Sequence, residues 1–237
     1  YLKEKKLKPQ TINIRLNSIT KYYDYEKEQG TREDNPARRL RIRKEGRRII
    51  KDIISIEQLE TIYRQYSQRD KFKEEKHKFA HRRNIIILGL MIYQGINIGE
   101  LLKLETKDIN LEEGSIYIPS TTKSNSRTMK LQSSQIIPLH NYLSAIRKQL
   151  QPKENEFIPG DVYNIISWLI KDLQHIAPQI KNTYHIRASV IMYWLKHNKI
   201  RQVQYMAGHK HISSTEKYRE EDLEGLQKQL NKYHPFN

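Results

Sequence analysis

Along most of the chain, apolar side chains recur three and four residues apart, and strand-like signals are confined to one short stretch. That imbalance constrains the fold more than any composition figure. A period of 3.6 buries one stripe of a helix, whereas a period of two buries one face of a sheet. Ile12, Leu16, Ile19, Tyr22 and Tyr23 mark a first helix from Pro9 that closes at Gly30. After the Asn35-Pro36 break, Ser55 and Gln58 form a capping-box pattern that opens a second helix through Leu59, Ile62 and Tyr66. The charged segment from Arg69 to Arg83 reads as exposed and leads into an apolar helix over Asn84 to Gln94, stopped by Gly95. Leu101, Leu102 and Leu104 continue a short helical turn, and Ile109 and Leu111 precede a turn at Glu113-Gly114. Ser115 to Pro119 reads as a strand with Arg127 to Leu131 as its antiparallel partner, the loop Ser120 to Ser126 between them. Ile136 to Leu139 is expected to add a third short strand. Helices are expected over Tyr142 to Leu150, Val162 to His175, Tyr184 to His197, Ile200 to Ala207 and Thr215 to Leu230. The fold class is therefore mainly α with a small antiparallel β-sheet.

The charge narrows the partner. Lys and Arg number 43 against 27 Asp and Glu, a formal net charge of +16 over 237 residues. Residues 1–51 hold 16 basic and 7 acidic residues, a net of +9, and the excess peaks between Asn35 and Lys51. There Arg38, Arg39, Arg41, Arg43, Arg47 and Arg48 stand as candidate DNA-binding residues, with Lys44 and Lys51 beside them and Glu45 as the single opposing charge. Such a stripe attracts a polyanion, because each phosphate it neutralises releases counterions. Its poverty in apolar residues argues against an amphipathic membrane-surface helix. The absence of cysteine removes disulfides, thiolate chemistry and cysteine zinc sites, and is compatible with a reducing compartment. The apolar run Ile85 to Tyr93 is too short to span a bilayer, which takes about 20 residues. Nothing at the start reads as a signal peptide, and Tyr1 in place of Met suggests a chain that begins inside a longer protein. His77 and His81 lie four apart but lack companion ligands, so both are expected in solvent and no metal site is expected.

The most informative segment is Met206-Ala207-Gly208-His209, followed by Ser213-Ser214-Thr215-Glu216-Lys217-Tyr218. Gly208 suits a helix stop, and Ser213 with Glu216 suits the start of the next helix, which carries Tyr218 on its second turn. A lone tyrosine there would simply pack in a core. In this company it resembles the C-terminal signature of the tyrosine recombinases, the phage-type integrase family, in which nine residues separate the histidine of Leu-Gly-His from a nucleophilic tyrosine. His209 to Tyr218 is that spacing, with Ala207 in the leucine's place. Tyr184-His185-Ile186-Arg187 resembles the family's His-x-x-Arg, and Gly95-Ile96-Asn97-Ile98-Gly99-Glu100-Leu101 resembles its Gly-x-Arg-x-x-Glu-Leu. Lys123 sits in the hairpin loop, where the family carries its lysine. Pro9-Gln10-Thr11-Ile12-Asn13, Tyr22-Tyr23-Asp24-Tyr25 and Asn35-Pro36-Ala37 are similar to the family's helical core-binding domain. Integrases of mobile elements are the nearest in kind.

The resemblance implies an all-α, SAM-like core-binding domain over residues 1–45, truncated at its N-terminus, a basic linker over 46–54 and an α+β catalytic domain over 55–237. It implies a site-specific recombinase that cuts and rejoins double-stranded DNA through a 3′-phosphotyrosine on Tyr218, with Arg187 gripping phosphate oxygens, His209 in proton transfer or hydrogen bonding, and Lys123 protonating the leaving 5′-oxygen. No cofactor and no metal are expected, since the intermediate stores the bond energy. A homotetramer joined by the C-terminal helix, whose stripe is Leu223, Leu226 and Leu230, is expected to work on nucleoid DNA in the cytoplasm, with no membrane partner. Two departures stand out: Asn97 replaces the family's first arginine, and Tyr184 replaces the histidine of His-x-x-Arg. Neither neutral residue supplies positive charge, and one lost stabiliser costs on the order of 3–4 kcal/mol. Arg127 is the candidate to restore the cation, and His185 the weaker substitute for the histidine. The alternative is a DNA-binding protein of the same fold with weakened or lost cleavage. A metal-dependent nuclease or transposase is disfavoured, because no convincing set of three carboxylates stands out.

Overall fold

The computed structural model describes residues 7–42, 53–69, 72–153 and 155–218, and its backbone divides into units of residues 1–49 and 50–237. In the first unit, helix α1 spans Pro9–Glu28 with proline in its first turn, where the missing N–H costs nothing. Gln29 and Gly30 end it, the glycine at φ 73°. The chain then folds back along α1. The Asn35 amide donates to the Thr20 carbonyl and to Asp24, while its oxygen caps the Ala37 N–H. Asn13 brackets Ile42 with a bond in each direction, at 2.8 and 2.9 Å. The Asn35-Pro36-Ala37 break is thus a packed turn, and Ala37 and Ile12 are buried.

The second unit is built on α3 (Glu75–Tyr93) and α8 (Thr183–His197), which cross in its centre and carry Ile87, Leu88, Leu90, Ile186, Val190 and Ile191 fully buried. Helix α2 (Ile56–Ser67) and α7 (Val162–Ile176) pack beside them. The Ser55–Gln58 capping box forms as the sequence predicts, and Asp161 caps α7. A short turn of helix, α4 (Ile98–Leu101), leads to a three-stranded antiparallel sheet of β1 (Ile109–Asn110), β2 (Ser115–Ile118) and β3 (Arg127–Lys130), in that order. The register pairs Ile116 with Met129 and Ile118 with Arg127. The remaining helices are α5 (Ser133–Asn141), α6 (Arg147–Gln149) and α9 (Ile200–Ala207), with a π-helical stretch Tyr142–Ile146 joining α5 to α6. Residues 213–218 begin one more helix. No described helix is long and apolar enough to cross a membrane.

Three expectations are corrected. The run Ile136 to Leu139 is helical, not a strand: a Gln132–Gln135 capping box starts α5, and Pro138 is absorbed inside it. The third strand is Ile109–Asn110 instead. Helix α3 begins at Glu75 rather than Asn84, so the charged stretch contributes its first turns. His77 is exposed as expected, but His81 is only 6% exposed, its ring lying 4.8 Å from that of Tyr66 and 4.7 Å from that of Phe72. Helix periodicity explains the burial, since position 81 falls on the α3 face turned to the core.

Gly95, just past the end of α3, has φ +57°, and a Cβ there would lie 2.8 Å from Cη2 of Trp194. Left-handed backbone and overpacking both penalise a side chain at that point. Gly95→Ala is expected to lower unfolding free energy by about 2–4 kcal/mol in urea titration, whereas the exposed Ser55→Ala cap loss is expected to cost about 1 kcal/mol.

Candidate active site

The site assembles around a carboxylate. Asn97 caps α4: its side chain accepts from the Glu100 N–H at 3.0 Å, and the Glu100 carboxylate accepts from the Asn97 N–H at 3.0 Å. This reciprocal box fixes Glu100, which is fully buried and points away from solvent. Arg127, on β3, donates to it twice, Nη1 to Oε1 at 2.7 Å and Nη2 to Oε2 at 3.2 Å. The same carboxylate lies 3.5 Å from Nη1 of Arg187, on the second turn of α8. Burial alone would raise the Glu100 pKa. The hydrogen bonds and charge of Arg127, joined by the charge of Arg187, outweigh it and hold the carboxyl below its ordinary value.

Arg187 is anchored further. Its Nη1 donates to the Gly95 carbonyl and its Nη2 to the Ala207 carbonyl, so one guanidinium joins the ends of α3 and α9. Beyond Ala207 the chain turns at Gly208, φ 66°, where a Cβ would come within 2.5 Å of Arg127 Nη1. Glycine is needed there both for the left-handed C-cap and for the approach of the arginine. The turn delivers His209, whose Nδ1 lies 2.9 Å from the Thr215 hydroxyl. The His209 ring stacks on that of Tyr218, centroids 5.9 Å apart and planes 8° from parallel. Tyr218 is buried and within electrostatic reach of Arg187. Burial, and then the charges of Arg187 and Arg127, push the His209 pKa down from 6.5 to about 4. The ring is therefore neutral at pH 7, fit to give or take a hydrogen bond rather than to act as a cation.

The structure thus gathers Arg127, Arg187, His209 and Tyr218 into one cluster. Lys123 is exposed in the hairpin loop beside it, because the loop residues Ser124 and Asn125 bond to His209 and Gly208. Asn97 sits at the cluster's edge as a helix cap. Tyr184 is exposed on the first turn of α8. His185 is 3% exposed, with Nδ1 3.4 Å from the Lys181 N–H, so it belongs to the turn that starts α8. Of the candidate DNA contacts, Arg38, Arg39 and Arg41 are exposed, while Arg43, Arg47 and Arg48 lie outside the described residues. The stripe Leu223, Leu226 and Leu230 also lies outside them. Sequence reasoning did not single out Glu100 or Thr215 as site residues. Glu100 could have been found from its place in the Gly-x-Arg-x-x-Glu-Leu-like segment, but Thr215 carries no signal beyond proximity to His209.

With this geometry in place, comparison with known proteins is informative. The description "Phage integrase family" matches residues 52–224. Tyrosine recombinase XerC of Proteus mirabilis is 26% identical over 243 residues, covering 97% of this chain and 74% of that protein. Tyrosine recombinase XerD of Staphylococcus saprophyticus is 27% identical over 167 residues, 65% of this chain and 55% of that one. Among solved structures, the Tn1549 transposon integrase in complex with a circular intermediate DNA superposes with a TM-score of 0.66 at 18% identity, covering 92% of this chain and 77% of that one. That similarity is one of fold.

The depressed His209 value sets a pH signature. Between about 6.5 and about 4 the unfolded chain binds a proton that the folded one excludes, so the stability from burying the neutral ring is complete above 6.5 and is lost as pH falls toward 4. His209→Gln is expected to flatten the stability-versus-pH curve in that window, measured by urea unfolding at several pH values. An unaltered slope would place the ring in water.

Proposed function

Because this chain belongs to the phage integrase family, we propose that its buried cluster is the centre of a site-specific DNA recombinase that breaks and rejoins DNA through Tyr218. The observation that carries this reading is the gathering of the stacked His209–Tyr218 pair and of Arg187, itself paired with Arg127 on one buried carboxylate, at the turn to which the hairpin that bears Lys123 is tied. Transfer of a phosphoryl group needs an in-line oxygen nucleophile and stabilisation of charge on the non-bridging oxygens. The Tyr218 phenol, its proton passing to water or to neutral His209, attacks the phosphorus and the bond to the 5′-oxygen breaks, leaving a 3′-phosphotyrosine and a free 5′-hydroxyl. Lys123 gives the proton that this leaving oxygen needs. Neutral His209, held by Thr215, hydrogen-bonds the phosphate or the phenol. The reverse attack by a 5′-hydroxyl restores the diester without any energy source.

Arg187 and Arg127 supply the positive charge. His209 registers both of them electrostatically, so the field at the stacked ring pair is that of two guanidinium groups, partly balanced by Glu100. Arg127 in this reading takes over the electrostatic duty of the arginine that Asn97 replaces. With two cations built in, the reaction proceeds without a divalent metal, whose role would be the same charge neutralisation. Residues 1–45 form the core-binding domain, 46–54 the basic linker and 55–237 the catalytic domain; the exposed Arg38, Arg39 and Arg41 lie on the DNA backbone. The working assembly is a tetramer joined through the C-terminal helix, acting on nucleoid DNA in the cytoplasm.

The test is a nicked cognate duplex incubated with the protein in chelator. A covalent adduct stable in denaturant is expected from the wild type and none from Tyr218→Phe, while Arg127→Ala is expected to slow its formation by about 10² to 10³ with DNA binding retained. DNA binding with no wild-type adduct would contradict the assignment, as would an adduct that needs Mg²⁺ or an unchanged rate in Arg127→Ala for the parts that concern metal and that arginine.

A further inference from the structure

The hairpin arm that carries Arg127 is an edge strand. An edge strand leaves alternate N–H and C=O groups facing outward without a partner strand. β3 is last in the sheet, and Thr128, opposite Tyr117 in the register, turns its backbone polar groups away from β2. The Tyr205 hydroxyl meets both groups: it accepts from the Thr128 N–H at 3.1 Å and donates to the Thr128 carbonyl at 3.4 Å. One phenol thereby substitutes for a residue of a neighbouring strand. Further along, the Asn125 N–H donates to the Gly208 carbonyl at 2.8 Å, and Ser124 pairs with His209 as an isolated antiparallel bridge. The last turn of α9, through Tyr205, and the turn Gly208-His209 together cover the outer edge of 124–128.

This seam determines where the reacting groups stand. One side carries Arg127 and leads to Lys123; the other carries the Ala207 carbonyl that holds Arg187, then Gly208 and His209. A slip along the seam moves the two halves of the site relative to each other. Tyr205 itself is 56% exposed, so its ring is not placed there by burial, and Thr128 is exposed enough for water to replace the phenol. Its hydroxyl is thus nearly dispensable for the fold and yet spans the seam. We propose that Tyr205 is a positioning residue for DNA cleavage, its hydroxyl latching the hairpin arm to the turn that bears His209. This rests on the phosphotyrosine reading above, because it presumes that Tyr218 is the nucleophile.

Single-turnover cleavage of a nicked duplex at saturating DNA separates the possibilities, with wild type, Tyr205→Phe, Ser55→Ala and Tyr218→Phe compared side by side. Loss of alignment on the ångström scale slows reactions by up to about 10²-fold, so Tyr205→Phe is expected to slow adduct formation by about ten- to a hundredfold. Its DNA affinity is expected to stay within about twofold of wild type, the pattern of a lost transition-state contribution, and amide exchange in 124–128 is expected to accelerate. Ser55→Ala, which removes a helix cap, is expected to cleave at the wild-type rate. A Tyr205→Phe rate equal to wild type overturns the latch and leaves the phosphotyrosine reading intact. Equal slowing in Ser55→Ala also overturns it, by tracing the effect to stability. Absence of an adduct from the wild type overturns the functional reading beneath it.

Discussion

The site depends on one fully buried carboxylate. Glu100 accepts from both terminal nitrogens of Arg127, lies beside Arg187 and closes a capping box with Asn97, so the start of α4, strand β3 and helix α8 meet through a single side chain. Removing one partner from such a dry ion pair typically costs about 3–5 kcal/mol, because the charge left behind is neither hydrated nor matched. Two arginines facing one carboxylate leave an excess of one positive charge in a largely buried place. An excess of that kind adds to burial, the larger cause, in keeping His209 neutral, and positive charge in a buried place favours an approaching anion.

Much of this was legible in the residues. Helical periodicity located the long helices, and the Ser55–Gln58 cap follows local chemistry that needs no tertiary context. The two strands of the hairpin and the loop between them followed from alternation and turn signals. The nine-residue interval brings His209 onto Tyr218, and Arg187 reaches the same cluster, because local helix and turn geometry sets their spacing. What failed depends on long-range packing. Ile136 to Leu139 looks like a strand in isolation, and only the Gln132–Gln135 box and the neighbouring helices make it helical. His81 looks solvated by its charged company, while two aromatic rings from other segments cover it. The partnership of Arg127 with Glu100 spans 27 residues and cannot be read from spacing.

The two departures from the family pattern differ physically. At position 97, asparagine is a strong N-cap, and its side chain and amide both bond Glu100. The position thus contributes to holding the counter-ion of the cations rather than adding a cation. At position 184, tyrosine is exposed on the first turn of α8 and free to meet whatever approaches that surface, whereas the neighbouring His185 is taken up by the turn before it.

Gly208 and Arg127 have become a linked pair. The guanidinium occupies the space into which any side chain at 208 would grow, and it does so while bound to a carboxylate it cannot leave cheaply. Neither position can drift alone: a larger residue at 208 must first displace the arginine, and a shorter residue at 127 strands Glu100. Sequence change at this corner is therefore a two-step passage through a damaged intermediate, which makes the arrangement, once acquired, hard to lose by gradual substitution.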